Sequence, residues 1–240
     1  MTDAVLILIL AGLAVFVGAV VQGSIGFGLG LVAAPVLTML DPTLMPGSIQ
    51  VVNATLPLFT LAVEWRRADW RGLGFALLGR LPGSAIGAVI VVHVSATSLG
   101  VFVGVMVLIA VALTARAVAV PRNGWTTTAA GFASGVTGTA TGIGGPPMGL
   151  VYQNARGPEI RATLAAFFFL SASQSLLILW WVDRLPARAL WSGALLIPFL
   201  VVGFLVSGPL RRHLDGGGVR RAVLVVAALS ALALVAQSLL

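Results

Sequence analysis

The sequence contains neither cysteine nor lysine, and only 9% of its 240 residues are charged. The absence of cysteine excludes disulfide bonds, thiol chemistry and cysteine-based metal sites. A soluble domain usually carries about 25% charged residues, so this chain has too little charge to cover a soluble domain with polar surface. The two histidines, His93 and His213, have no partner at metal-ligand spacing, and we expect no metal and no other cofactor.

Apolar residues dominate instead, making up 59% of the chain in long continuous runs. Runs of this length and number predict α-helices that cross a membrane. A β-barrel is disfavoured because its strands would alternate polar and apolar residues. The N-terminus lacks the basic region of a signal peptide, so we interpret it as a retained membrane segment. The apolar segments are 4–22, 25–40, 44–64, 71–92, 97–119, 126–141, 145–155, 159–182, 187–208 and 219–239.

The two halves of the chain, 1–120 and 121–240, align with each other at an offset of 116 residues. At this offset Pro42 falls on Pro158 and Trp65 on Trp181, and several glycines also coincide. Matches at proline and glycine are informative because these residues determine backbone geometry. We therefore predict two repeats within one transmembrane domain, each made of a glycine-broken helical hairpin plus three transmembrane helices.

The net charge of +7 rests on 14 basic residues, all arginine, which punctuate the apolar segments instead of forming one patch. This distribution disfavours nucleic acid as a partner and follows the positive-inside rule. The strongest cluster, within 211–221, is placed in the cytoplasm with the arginines at 66–71, whereas those at 184–188 fall outside. Equivalent loops thus face opposite sides. This predicts inverted repeats related by a pseudo-two-fold axis, a transporter architecture with its substrate site at the midplane.

Each half contains a glycine-rich stretch within an apolar run, GSIGFGLG at 23–30 and TGTATGIGGPP at 137–147. A nucleotide-binding loop is disfavoured because a strand should precede the glycines and an acidic residue should follow about 20 positions later. A break in a membrane helix is tolerated around a cavity, and the exposed N–H groups at a half-helix N-terminus attract anions. The alternative is that small residues only allow close helix packing.

Arg80 lies about ten residues into the segment 71–92, with no carboxylate at comparable depth. At that depth an arginine costs at least about 2.5–3.5 kcal/mol unless it is paired or faces water. It either binds the anion or snorkels to the interface or to backbone carbonyls. Asn53 is polar in mid-segment and either lines the pathway or bonds between helices. The candidate substrate-binding residues are Gln22, Gly23, Ser24, Gly26, Gly28, Asn53, Arg80, Thr139, Thr141, Gly142, Gly144 and Gly145.

Two stretches carry a resemblance to a known family: GAVVQGSIGFGLGLVAAPVL near the N-terminus and GFASGVTGTATGIGGPPMGLVYQ at the start of the second half. With the length and the internal repetition, they resemble the TauE/SafE family of membrane permeases, also called sulfite exporters, over essentially the whole chain. The resemblance implies transport of sulfite, of sulfonates such as sulfoacetate or taurine, or of related sulfur anions across a bacterial cytoplasmic (inner) membrane. The exact anion does not carry over, because the family's substrates are diverse.

Together these patterns predict an all-α integral membrane protein, multi-pass in the inner membrane, that transports small anions by alternating access. A channel-like anion pore built on the same breaks is the alternative. An intramembrane enzyme is disfavoured, because the sequence shows no nucleophile–base pair, paired aspartates or histidine cluster. The expected partners are the small anionic substrate and the lipid bilayer, with assembly into a homo-oligomer left open.

Overall fold

The computed structural model describes residues 2–116, 120–214 and 218–239. Within these ranges the regular structure is entirely helical. The side chains of the arginine cluster within 211–221, His213 included, lie outside the described residues. The α-helices are α1 (Thr2–Ile25), α2 (Leu29–Leu40), α3 (Gly47–Glu64), α4 (Trp70–His93), α5 (Ala96–Arg116), α6 (Gly124–Thr141), α7 (Gly145–Tyr152), α8 (Gly157–Trp181), α9 (Ala187–Leu195), α10 (Ile197–Leu214) and α11 (Gly218–Leu239).

Five helical stretches in the described part of the chain are long and apolar enough to cross a membrane. α3 is not among them, although the sequence predicts a span at 44–64. The helix forms, but Ser48, Gln50 and Asn53 in its first half lower its mean hydropathy. The five stretches are Val5–Ile25, Trp70–His93, Ser98–Ala115, Gly157–Trp181 and Ala187–Pro209.

The outer surface of the bundle is apolar, and polar side chains lie inside it. Leu78 on α4 is 63% exposed and Leu177 on α8 is 66% exposed, whereas Gln50, Arg80 and Ser84 are buried. Exposed apolar faces of this extent need a partner other than water. The distribution agrees with the apolar spans and identifies a multi-pass membrane protein.

Glycines with left-handed backbone angles follow both α1 and α6. Gly26 and Gly28 have φ angles of 97° and 127°, and Gly142 has a φ of 76°. Residues with a Cβ rarely adopt such angles, so these glycines stop the helices within the two predicted glycine-rich stretches. At the offset of 116 residues, the end of α1 falls on the end of α6, and the start of α2 falls on the start of α7.

The two hairpins differ in length. The first consists of α1, with 24 residues, and α2, with 12, whereas the second consists of α6, with 18, and α7, with 8. α1 is one of the five candidate spans, whereas α6 and α7 are not among them. The helix continues through Gln22 and Ser24 because no residue interrupts it before Gly26.

α4 packs closely against α6 through glycines spaced four residues apart. A Cβ added to Gly79 would lie 1.9 Å from the carbonyl oxygen of Thr128, and one added to Gly83 would lie 2.2 Å from that of Phe132. Only glycine permits this approach of two backbones. α4 belongs to the first half of the chain and α6 to the second, and the equivalent pair at the offset, α10 with α1, also packs together.

α3 and α8, which coincide at the offset, run antiparallel. At one end, Arg161 near the start of α8 forms an ion pair of 2.6 Å with Glu64, the last residue of α3. At the other end, Ser48 near the start of α3 donates a hydrogen bond of 3.1 Å to the carbonyl of Ala189, which follows the end of α8. The C-terminal end of α3 therefore lies beside the N-terminal end of α8.

Charged side chains gather at the two ends of the bundle. The hydrogen bond to Glu159 raises the pKa of Arg122. The ion pairs among the described residues are Arg122–Glu159 and Arg161–Glu64 at one end, and Arg188–Asp41 at the other.

The buried apolar side chains form two principal clusters, and each cluster draws on both halves of the chain. The first bundle, as we call it, comprises α1, α2, α3, α5, α10 and α11. The second bundle comprises α4, α6, α7 and α8. The helices are therefore exchanged between the halves, and the two glycine breaks face each other across the boundary between the bundles.

Candidate functional site

A small cavity lies where the two helix breaks meet, between the first and second bundles. The space open to the centre of a water-sized sphere is about 30 Å³. A single water needs roughly 10–15 Å³ on this measure, so the cavity has room for about two waters or one small ion. Its lining residues are Gln22, Gly28, Gly30, Leu31, Gln50, Asn53, Arg80, Gly138, Gly142, Ile143, Gly144, Gly145, Pro146, Phe167, Phe168, Ser171 and Ala172.

The first break presents the N-terminus of α2 to this cavity. The Leu29 N–H donates a hydrogen bond of 3.2 Å to Gln22 Oε1, and the N-cap residue Gly28 has no side chain to cap the helix. The N–H groups of Gly30 and Leu31 lie too early in the helix to bond within it. Because both residues line the cavity, α2 offers backbone donors and a positive dipole end to an anion there.

The second break is poorer in donors than the sequence analysis expects. Pro146 and Pro147 stand in the first turn of α7 and carry no N–H group. The Ile143 N–H is already bonded to Thr141 Oγ1 at 3.2 Å. Of the first three residues of α7, only Gly145 carries an N–H group, so this helix start offers fewer donors than that of α2.

Two amide side chains of α3 hold the second break in place. Gln50 Nε2 donates to the carbonyl of Gly138 at 2.6 Å, and Asn53 Nδ2 donates to the carbonyl of Gly142 at 2.9 Å. Both carbonyls lie near the C-terminal end of α6. The Gly138 carbonyl also accepts the N–H of Gly142, whereas the Gly142 carbonyl lies past the last helical residue. Asn53 thus bonds between helices, which is one of the two alternatives given for it, and it also lines the cavity.

Arg80 is almost fully buried, with 1% of its surface exposed, and it also lines the cavity. Its Nη1 donates to the carbonyl of Ser134 at 2.8 Å, and its Nη2 donates to the carbonyl of Ser171 at 3.0 Å and to Ser175 Oγ at 2.8 Å. Its guanidinium carbon lies 5.6 Å from the centre of the Phe167 ring.

The acceptors around Arg80 are neutral, and none of the ion pairs among the described residues includes it. Its Nε has no hydrogen-bond partner. Gly138 leaves room for the guanidinium, because a Cβ there would lie 3.1 Å from Nη1. The backbone-carbonyl alternative for Arg80 is therefore observed, but the positive charge is left without a counter-charge beside the cavity.

The structure brings seven of the twelve predicted site residues to the cavity wall, and the other five lie behind it. Gly23 faces Ser207 on α10, and a Cβ on Gly26 would lie 3.5 Å from the Cα of Arg161. The hydroxyls of Ser24 and Thr141 donate to the carbonyls of Val20 and Thr137. The hydroxyl of Thr139 shares a hydrogen bond with Ser175 Oγ. The residues on the wall are Gln22, Gly28, Asn53, Arg80, Gly142, Gly144 and Gly145.

Several wall residues are not among the predicted site residues. Gln50 precedes Asn53 by three positions, so the two share a helix face, a signal that the sequence does contain. Ser171 lies in mid-segment and falls on Thr55 at the offset. Phe167 and Phe168 carry no such signal, because aromatic residues in an apolar run look the same whether they line a cavity or a core.

Comparison with known proteins supports the family resemblance seen in the two glycine-rich stretches. The family described as Sulfite exporter TauE/SafE matches residues 10–234 of the chain. A protein of Cupriavidus necator named probable sulfite/organosulfonate exporter TauE is 29% identical over 221 residues, covering 84% of this chain and 84% of the relative. No solved structure matches the chain. Because the match spans nearly the whole sequence, this protein belongs to the sulfite exporter TauE/SafE family and is a membrane transporter, not an enzyme.

Proposed function

We propose that this protein transports small sulfur-containing anions, sulfite or organosulfonates, across the inner membrane of a bacterium. The name of the Cupriavidus necator relative supports this substrate class. The observation that carries the proposal is Arg80, a buried cation on the wall of a cavity at the meeting of two helix breaks. A buried charge without a counter-charge, beside a helix N-terminus, favours an anion.

In this proposal the anion lies between the start of α2 and the guanidinium of Arg80. The N–H groups of Gly30 and Leu31 donate to its oxygens, and Gly145 closes the opposite side. Gln22 and Asn53 position these groups through their bonds to Leu29 and Gly142. The predicted residues behind the wall act through packing. They are Gly23, Ser24, Gly26, Thr139 and Thr141.

The two halves are inverted repeats in this proposal. Three observations support the inversion: the helix ends that coincide at the offset, the antiparallel course of α3 and α8, and the exchange of equivalent helix pairs between the halves. When equivalent neighbouring helices run antiparallel, the axis that relates them is perpendicular to the helices. In a membrane such an axis lies in the membrane plane.

Alternating access then follows from relative motion of the two bundles. The cavity is bounded by α1, α2 and α3 from the first bundle and by α4, α6, α7 and α8 from the second. Each bundle has its own apolar cluster, so each can move as a unit around the site. The moving parts are these mixed bundles, since the sequence halves 1–120 and 121–240 are interleaved.

Purified protein in liposomes tests the proposal. We expect saturable flux of sulfite or methanesulfonate, with a loss of at least about tenfold in Arg80→Gln, because the only charge at the site is removed. Arg67→Gln is the matched control, since Arg67 is exposed in the loop between α3 and α4. Unchanged flux in Arg80→Gln would show that the anion does not pass through the cavity beside Arg80. Discrete conductance steps in planar bilayers, instead of slow saturable flux, would favour the channel alternative.

A further inference from the structure

Arg80 is the charged residue on the cavity wall, where the other lining side chains are neutral at every physiological pH. α6, which packs on α4, contains no titratable residue, and α8 carries Glu159 and Arg161 in its first turns only. α4 itself has only Arg71 and His93 besides Arg80, both near its ends. The described part of the chain therefore holds a single formal positive charge at this site.

The described carboxylates of the helices around the cavity are engaged elsewhere. Glu64 binds Arg161, Glu159 binds Arg122, and Asp69 caps the start of α4. None of them contacts the cavity wall. The empty site thus carries one formal positive charge, that of Arg80.

The charge on the occupied site depends on the charge of the anion. A singly charged anion gives a neutral complex, whereas a doubly charged anion leaves one excess negative charge in a buried, mostly apolar environment. Burying an uncompensated charge is strongly unfavourable. The dipole of α2 adds about half a positive charge at most, and the prolines of α7 weaken the corresponding contribution from the second break.

We propose that this cavity selects singly charged oxyanions, such as bisulfite and sulfonates, over doubly charged ones such as sulfate, and that the lone charge of Arg80 sets this preference. The inference rests on the proposed function, because it specifies the ionic form that the same site accepts. The rest of the wall includes apolar side chains, those of Leu31, Ile143, Phe167 and Phe168. This apolar surface suits the carbon end of a sulfonate and provides no hydrogen-bond donor or positive charge for a second negative charge.

Methanesulfonate and sulfate form the decisive probe pair, because both are tetrahedral sulfur oxyanions and they differ by one charge. We expect thermal-shift or calorimetric titration of the purified protein to give an affinity about tenfold or more higher for methanesulfonate, since one buried excess charge costs more than 1.4 kcal/mol. Sulfate binding as tightly as methanesulfonate, in competition with it, would overturn the charge selection and leave the anion site intact. Binding of none of these anions would instead contradict the proposed function.

Titration with sulfite at several pH values tests the effect of charge on affinity, because sulfite changes its charge with little change in size. Its affinity should fall as pH rises through its second ionisation, where bisulfite becomes sulfite. Methanesulfonate keeps its single charge through this range, so its affinity, measured at the same pH values, is the reference. An affinity for sulfite that is constant or rising across this ionisation would overturn the proposal.

Substitution at Arg80 assigns the preference to its charge. Arg80→Lys should keep the preference for methanesulfonate over sulfate, and Arg80→Gln should reduce it to about twofold or less, because no formal charge remains at the site. A preference of unchanged size in Arg80→Gln would show that Arg80 does not set it. If Arg80→Gln does not fold, the wild-type titrations above still decide whether the site selects by charge.

Discussion

The first and second helix breaks occupy equivalent positions in the two halves, yet they present different groups to the cavity. At the first break, α2 begins with unbonded N–H groups at Gly30 and Leu31. At the second break, the prolines at the start of α7 remove two donors, and Gln50 and Asn53 on α3 hold the preceding carbonyls. Breaks at equivalent sequence positions therefore present unequal groups to the cavity: the first offers backbone N–H donors, and the second is held by amide side chains of α3.

Arg80 extends this asymmetry, because its counterpart at the offset is Leu196. Arg80 lies on the side of the second break and bonds to Ser134 of α6 and Ser171 of α8. The guanidinium therefore places a positive charge on the side of α7, where Pro146 and Pro147 leave few N–H donors. Gly26 and Gly142, which coincide at the offset, both have positive φ angles, while the chemistry around them differs.

The largest effect is expected where the two breaks touch. A Cβ added to Gly30 would lie 2.6 Å from the carbonyl oxygen of Gly142, so Gly30→Ala must push the breaks apart. We expect transport to fall about tenfold or more while the protein still folds, because binding groups must hold their geometry within roughly half an ångström. Gly74→Ala on α4 is the control, since nothing lies within 4 Å of a Cβ there. Wild-type flux in Gly30→Ala would mean that contact between the breaks is dispensable.

The next prediction compares the glycines that end α1 and α6. Gly26→Ala costs about 1–3 kcal/mol from backbone strain alone, because the nearest atoms to its Cβ lie at an ordinary 3.5 Å. Gly142→Ala carries the same strain and also places its Cβ 2.3 Å from Ile49 Cγ2, which adds roughly 1–3 kcal/mol of overpacking. Thermal unfolding in detergent should therefore rank Gly142→Ala below Gly26→Ala. The reverse order would show that the first break bears the tighter constraint.

A smaller effect is expected from the amides that support the second break. Gln50→Ala or Asn53→Ala removes one hydrogen bond to a buried carbonyl, at a cost of about 0.5–1.5 kcal/mol each. Thr55→Val on the same helix is the control, because the Thr55 hydroxyl bonds only to its own helix, at Val51 O. Melting temperatures should fall for both amide variants and not for the control. Equal melting temperatures in all three would show that α3 does not hold the second break.

The positions of the breaks could be predicted from the sequence, because glycine permits the positive φ angles that stop a helix in an apolar run. The shortage of donors at the second break is also visible in the sequence, since Pro146 and Pro147 lack N–H groups. The expectation that exposed N–H groups at the breaks attract an anion treats both breaks alike. The apolar segment 4–22 is shorter than α1, because Gly23 and Ser24 interrupt the apolar run whereas the helix continues to Ile25.

The partners of Arg80 and Asn53 could not be predicted from the sequence alone. Arg80 bonds to residues 54 and 91 positions away, and Asn53 bonds to one 89 positions away. Such contacts depend on which helix faces pack together. In a membrane protein the hydrophobic periodicity of the sequence says little about these packing faces, because faces toward lipid and faces toward the protein core are both apolar.

The smallest expected effect tests whether prolines make the second break a poor donor. Pro146→Ala restores an N–H group in the first turn of α7, at a residue that lines the cavity. A charge at a helix N-terminus gains typically 0.3–1 kcal/mol, so we expect methanesulfonate to bind about two- to fivefold more tightly. Ala33→Pro is unsuitable as the inverse change because it would break α2, so Pro35→Ala, on α2 but outside the wall, serves as control. If Pro146→Ala binds no better than Pro35→Ala, the missing amides do not explain the asymmetry, and the difference between the breaks must lie in the charge of Arg80 alone.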